Sequence, residues 1–113
     1  MKSLDGTCPM GPWIVTADEL SFPPRQRLRL WVNGQLRQDG NTGDMIFGIS
    51  EIVSTLSRGM TLPAGTVFAT GSPTGIGFGM TPPTYLRDGD TVTCEIEGIG
   101  RLTNTVRDKP GQL

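Results

Sequence analysis

The residues best suited to chemistry in this 113-residue chain stand in one glycine- and hydroxyl-rich stretch, Thr70-Gly71-Ser72-Pro73-Thr74-Gly75-Ile76-Gly77-Phe78-Gly79. Glycine tolerates positive φ and lets the backbone approach a ligand closely, so bare N–H groups and small hydroxyls could meet an anion here. The same residues also suit an ordinary loop following a short β-prone run at 67–69. Lys2 sits in a second segment rich in glycine and hydroxyls. An ammonium there could neutralise a carboxylate or enolate, or lower the pKa of a bound water; by composition alone it is an N-terminal surface lysine. Glu95 and Glu97, two apart on an alternating segment, would point the same way, as a pair of divalent-metal ligands does. Arg101 on the return strand offers them cross-strand charge pairing instead. Asp88-Gly89-Asp90 lacks the further ligand spacing of a calcium loop and reads as a turn.

Composition narrows the chemistry further. There is no histidine, so neither a serine–histidine or cysteine–histidine catalytic pair nor a histidine-rich zinc site can be assembled within these residues. Cys8 and Cys94 lie far apart without metal-ligand spacing, which fits two reduced thiols in a cytoplasmic protein. A net charge of −1 argues against a nucleic-acid footprint or a basic membrane-binding surface. No apolar run approaches the roughly 20 residues of a membrane span, and the N-terminus has no signal-peptide core. Sixteen glycines and nine prolines with 35% apolar residues suit short strands joined by turns. A chain of this length is expected to bury roughly two-thirds of its unfolded surface.

The elements that must position these groups follow from local pattern. Leu28, Leu30 and Val32 alternate with Arg27, Arg29 and Trp31, and Asn33-Gly34 supplies a type I′ turn, so residues 27–38 form a β-hairpin with Leu36 continuing the apolar face. Residues 38–44 read as a polar loop. A helix follows over 49–58, with Ser50 as N-cap, an apolar stripe of Ile49, Ile52, Val53 and Leu56, and Gly59 as a left-handed C′ residue. Residues 13–15 and 67–70 are short strand candidates, and Thr16-Ala17-Asp18-Glu19 has the form of a capping box but reads best as a polar turn. Residues 91–97 alternate, with Val92, Cys94 and Ile96 on one face and Thr93, Glu95 and Glu97 on the other. After a turn at 98–100, residues 101–106 return with Leu102, Asn104 and Val106 on a common face. The tail at 108–113 is expected to fray.

Several stretches together resemble one family. They are Lys-Ser-Leu-Asp-Gly-Thr-Cys-Pro-Met-Gly-Pro-Trp-Ile-Val-Thr (2–16), Leu-Arg-Leu-Trp-Val-Asn-Gly (28–34), Arg-Gln-Asp-Gly-Asn-Thr-Gly-Asp-Met-Ile-Phe (37–47), Leu-Ser-Arg-Gly-Met-Thr-Leu (56–62), Ala-Thr-Gly-Ser-Pro-Thr-Gly-Ile-Gly (69–77) and Glu-Ile-Glu-Gly-Ile-Gly (95–100). In this order and spacing, over about residues 2 to 107, they are similar to the C-terminal portion of the fumarylacetoacetate hydrolase superfamily. The resemblance implies a mainly β fold with short helices (α+β), a mixed-sheet roll or flattened barrel incomplete at its N-terminus, and assembly as a homodimer. It implies a single partial catalytic domain over 1–107.

The family's chemistry uses Mg²⁺, Mn²⁺ or Ca²⁺ on 2-oxo acids and 1,3-dicarbonyl acids, with C–C bond hydrolysis, decarboxylation, hydration or enol isomerisation as outcomes. The ion chelates adjacent oxo and carboxylate oxygens and stabilises the enolate. Carried over by position, Lys2 matches a lysine that approaches the metal-bound substrate and is the catalytic candidate. Gly71, Ser72 and Thr7 become substrate-binding candidates. Ser72 stands where the family more often has threonine, a loss of one methyl that keeps the hydroxyl. The family's Glu-x-Glu and aspartate ligands belong upstream of Lys2, so no metal ligand is assigned within these residues; Glu95 and Glu97 occupy a late hairpin and are not that pair. Either the chain is part of a metal-dependent enzyme, or it is a non-catalytic remnant or dimerising module.

Overall fold

The alternation around Leu28 produces the first strand of a four-stranded antiparallel sheet in the computed structural model, which describes residues 4–108. β1 (Arg27–Val32) turns through Asn33 (φ 50°) and Gly34 (φ 78°) into β2 (Gln35–Asn41), the paired left-handed residues that a type I′ turn requires. β3 (Thr91–Ile96) and β4 (Gly100–Thr105) form the second hairpin, and β3 pairs with β1 to give the order β2-β1-β3-β4. The expected mainly β fold with short helices is observed. Its sheet is wholly antiparallel and open, since these four strands leave β2 and β4 as edges and close no barrel.

The first hairpin turn and the turn that leads into β3 hold each other. The Asn33 amide nitrogen donates to Asp90 Oδ1 at 2.8 Å, and its carbonyl oxygen accepts from the Thr91 N–H at 2.9 Å. Asp90 Oδ2 also accepts from the Arg87 N–H at 2.7 Å, so Asp88-Gly89-Asp90 is a turn, as its sequence suggests. The Asn33 bond first and the Arg87 N–H second hold the Asp90 carboxyl below the usual carboxylate range.

A register shift between Leu30 and Trp31 changes what β2 presents. The two-residue turn itself pairs Val32 with Gln35 and Trp31 with Leu36, which takes Leu36 off the Leu28–Leu30 face on which alternation had placed it; the shift beyond that pair then sets Gln38, in place of Arg37, opposite Leu30. The polar residues expected as a loop at 38–41 are strand, because each has a partner on β1: Gln38 with Leu30, Asp39 with Arg29, Gly40 with Leu28 and Asn41 with Arg27. The chain then tightens into a 3₁₀ turn, Thr42–Asp44, capped by the Asn41 side chain accepting from the Gly43 N–H.

α1 (Ile49–Ser57) is the expected helix with different ends. Gly48, not Ser50, is the N-cap; its carbonyl accepts from the N–H groups of Glu51 and Ile52, each at 3.1 Å. At the other end Arg58 keeps right-handed geometry (φ −68°, ψ −30°), so Gly59 is not called on for a left-handed turn. Residues 13–15 and 67–70 are not strands, since no strand among the described residues pairs with either segment. Residues 16–19 form the polar turn, closed by the Glu19 N–H on the Thr16 carbonyl.

The expected core is also corrected. No described residue is buried, and Ile14 (90% exposed) and Ile46 (91%) carry their side chains in the open. The accessible surface is 9149 Å², against about 6,000 Å² for a compact protein of this size. The ordered unit is therefore the sheet and the loops hung on it, with much apolar surface left uncovered. Of the tail at 108–113, residues 109–113 lie outside the described residues.

Candidate functional site

The two faces of the sheet differ in kind. Pairing places Leu28 with Ile96 and Gly40, Leu30 with Cys94 and Gln38, and Cys94 with Leu102 on one face. The other face carries Arg29, Glu95 and Arg101 in one row and Trp31, Thr93 and Thr103 in the next. The glycine-rich loop lies on the first face, and so does Trp13, which follows the N-terminal segment.

The glycine-rich loop rests on β2. Pro73 occupies the space above Gly40, where an added Cβ would lie 2.8 Å from the Pro73 Cβ. Gln38 Nε2 donates to the Pro73 carbonyl at 2.9 Å and to the Thr74 carbonyl at 3.3 Å. Gly75 (φ 96°) lies so close to the Arg37 carbonyl oxygen that a Cβ there would overlap it. Gly77 is pressed equally hard against the Thr84 carbonyl oxygen and accepts from the Thr84 N–H at 2.9 Å before the short 3₁₀ turn Gly77–Gly79. Glycine is thus needed at 75 and 77 for close backbone approach.

Gly71 and Ser72 stand just before this grip and are exposed. Gly71 has φ 107°, and a Cβ on it would meet nothing within 4 Å. Among the described residues no hydrogen bond engages the Gly71 N–H or the Ser72 hydroxyl. Two donors held outward beside a fixed loop can accept a carboxylate. Residues 69–79 include no charged side chain, so any compensating cation must come from elsewhere.

Thr7 lies on a separate turn, its N–H and its hydroxyl both donating to the Leu4 carbonyl, at 3.1 and 2.7 Å. It forms no hydrogen bond with Gly71 or Ser72 among the described residues. Its segment is tied to the far hairpin by Trp13, whose indole N–H donates to the Ile99 carbonyl at 2.7 Å and whose ring fills the space over Gly100. Lys2 lies outside the described residues. Gln38 was not singled out by sequence reasoning. The signal was a polar residue in an apolar row, hidden by the unforeseen register shift.

The opposite face holds an open groove of about 500 Å³ that includes Arg27, Arg29, Glu95, Glu97 and Arg101. Its charges are matched internally. Glu95 takes Arg101 and Arg29 on its two oxygens, Asp39 binds Arg27 through both of its oxygens, and the two guanidiniums of Arg29 and Arg101 each stack 5.3 Å from the Trp31 ring. Arg101 foremost, then Arg29, hold the Glu95 carboxyl below the usual range against the opposing pull of desolvation; Arg27 does the same for Asp39.

These residues do not fit a divalent ion. Both Glu95 oxygens are committed to guanidiniums, and Glu97 Oε2 accepts from the Arg27 N–H at 3.3 Å. No cluster of three or more Asp, Glu, Cys or His groups stands together among the described residues. Cys8 and Cys94 are not joined in a disulfide, and no described helix is long and apolar enough to cross a membrane.

Fold and site together define an open, mainly β module with a glycine–hydroxyl turn fixed against one face of its sheet. Residues 1–107 match the family described as "Fumarylacetoacetate (FAA) hydrolase C-terminal", and the chain belongs to that family. It is similar to oxaloacetate tautomerase YisK of Bacillus subtilis (strain 168), with 51% identity over 105 residues, 93% of this chain and 35% of that protein. Among solved structures it resembles fumarylacetoacetate hydrolase from psychrophilic Exiguobacterium antarcticum (TM-score 0.90, 52% identity, 96% of this chain, 39% of that one). Maleylpyruvate hydrolase from Sphingobium sp. SYK-6, solved in complex with manganese(II) ion and pyruvate, is also similar (TM-score 0.78, 40% identity, 89% of this chain, 36% of that one). The chain therefore spans between a third and two-fifths of the length of these relatives.

Proposed function

We propose that this chain is the C-terminal part of a metal-dependent enzyme acting on 2-oxo or 1,3-dicarbonyl acids, and that it supplies the wall that holds the substrate carboxylate. Gly71 donates its backbone N–H, and Ser72 its hydroxyl, to that carboxylate. Lys2 is the catalytic group proposed to approach the substrate and its water, and Thr7 a further substrate contact. The reaction is C–C bond hydrolysis, or tautomerisation, decarboxylation or hydration of the same class of acid. The divalent ion is Mg²⁺, Mn²⁺ or Ca²⁺, and its carboxylate ligands are not among the described residues. One observation carries this reading: a turn with two unengaged donors, Gly71 and Ser72, built against β2 by glycines that admit no side chain. The relative bound to manganese and pyruvate supports the ligand class by analogy.

The test places this chain behind the upstream portion of Bacillus oxaloacetate tautomerase YisK and measures oxaloacetate tautomerisation. Ser72→Ala should raise KM about tenfold, the cost of one hydrogen bond to a charged group, and Ser72→Thr should restore it. Unchanged kinetics in a folded Ser72→Ala protein would refute the assignment. The unmodified chain alone, titrated calorimetrically with Mg²⁺ and oxalate, should bind weakly, with a Kd of about 1 mM or more. Micromolar binding would show that it holds a complete metal site.

A second reading, a non-catalytic module that pairs with a second copy, is favoured by the exposure of Ile14, Ile46, Phe78 and Met10. Homodimerisation is common to both readings. Sedimentation of the chain tests it, a monomer at about 100 μM counting against it.

A further inference from the structure

We infer that Gln38 is the residue that positions the acid-binding turn, acting through the loop rather than by touching substrate. The inference rests on the reading of Gly71 and Ser72 just given. Gln38 stands on β2 opposite Leu30, in a row that is otherwise Leu30, Cys94 and Leu102. Gln38 is half-exposed, so water is open to its amide, and yet the side chain is turned onto the loop. Its Nε2 reaches two successive carbonyls, those of Pro73 and Thr74, at 2.9 and 3.3 Å. An amide nitrogen has two hydrogens, so one side chain can hold both carbonyls.

Three consecutive loop residues are thereby fixed by β2. Pro73 is seated on Gly40 and held by Gln38, Thr74 is held by Gln38, and Gly75 is pressed on the Arg37 carbonyl. Ser72 precedes Pro73 directly, so its backbone is carried by this clamp. Of the three contacts, only the Gln38 contact is made by directional hydrogen bonds from a side chain, and only it can set the rotation of the turn about the strand. Loosening it leaves the loop attached but lets the Gly71 N–H and Ser72 hydroxyl swing out of line, and a misaligned donor loses most of its value.

The experiment uses the complete chain behind the upstream portion of its Bacillus relative, with oxaloacetate as substrate. Gln38→Met keeps length and removes both donors. It should raise KM about tenfold while kcat changes by less than about twofold, and the same change in a Ser72→Ala background should raise KM by only about threefold, because the Ser72 share of the effect is already gone and the Gly71 share alone remains to be lost. A merely structural role would lower thermal stability but leave the two KM effects multiplying in full. Where Gln38→Met does not fold, Gln38→Asn, one methylene short, is judged by the same two ratios. An unchanged KM in the Gln38 variant beside a raised KM in Ser72→Ala overturns this inference and leaves the acid site standing. Full multiplication of the two effects also overturns it. Unchanged KM in both variants overturns the site and the inference together.

Discussion

Two loops hang on one face of this sheet, and they are held in different ways. The glycine-rich loop is held chiefly by close backbone contacts, Gly75 against the Arg37 carbonyl and Gly77 against the Thr84 carbonyl, with the Gln38 side chain bonded to two of its carbonyls. The N-terminal segment is held by a single large side chain, Trp13, whose indole bonds to Ile99 and covers Gly100, with Leu20 set against Gly98. Backbone-to-backbone contact leaves little slack, because no rotamer can absorb an intrusion. A side-chain anchor is adaptable, since an aromatic ring can shift on a flexible segment. The first arrangement suits the proposed role of Gly71 and Ser72, which requires two small donors at fixed angles.

The comparison can be broken most forcefully at Gly75. Gly75→Ala puts a Cβ into the Arg37 carbonyl at a φ of 96°, and should destabilise the folded protein by about 3 kcal/mol or more. Urea unfolding of the chimeric protein would measure it. The matching change on the other loop is Gly100→Ala, where the Cβ would lie 2.7 Å from Trp13 Cζ2 at a φ of 135°. The ring can give way, so a cost of about 2 kcal/mol is expected, mostly from the backbone. It should be accompanied by a change in tryptophan fluorescence that Gly75→Ala lacks. Equal costs for the two substitutions would erase the distinction between the anchors.

The opposite, charged face supplies the smallest effect and a control. Glu95 has a depressed pKa in the folded state, chiefly through Arg101 and then Arg29. A depressed carboxylate stabilises above its unfolded pKa, and that stabilisation is lost as pH falls through the folded value. Thermal unfolding should therefore fall off on acidification from about pH 4.3 downward. Glu95→Gln should show a shallower acid limb, with substrate KM at pH 7 unchanged. A Glu95→Gln protein that lost substrate affinity would tie the bare face to the site.

The sheet was largely legible in the sequence because its signal is local. Alternation at 27–32 and 91–97 and the Asn33-Gly34 turn each act within a few residues. The shift between Leu30 and Trp31 was not legible, and it brought Gln38 opposite Leu30; Leu36 faces Trp31 because a two-residue turn pairs them, which the turn itself could have told. Apolar runs at 13–15 and 67–70 misled because strand propensity counts only where a neighbour offers a ladder. Gly71 and Ser72 were legible as a motif; their freedom from internal hydrogen bonds was not, because it depends on how β2 holds residues 73–75. A buried core was expected from length alone, and length does not say which surfaces belong to packing partners.

The most direct test of the central claim is a crystal structure of the chimeric protein with Mn²⁺ and oxalate or pyruvate bound. The account predicts a carboxylate oxygen within about 2.7–3.2 Å of the Gly71 nitrogen and the Ser72 hydroxyl. A bound acid whose carboxylate is held by other groups, with Gly71 and Ser72 facing solvent, would contradict it.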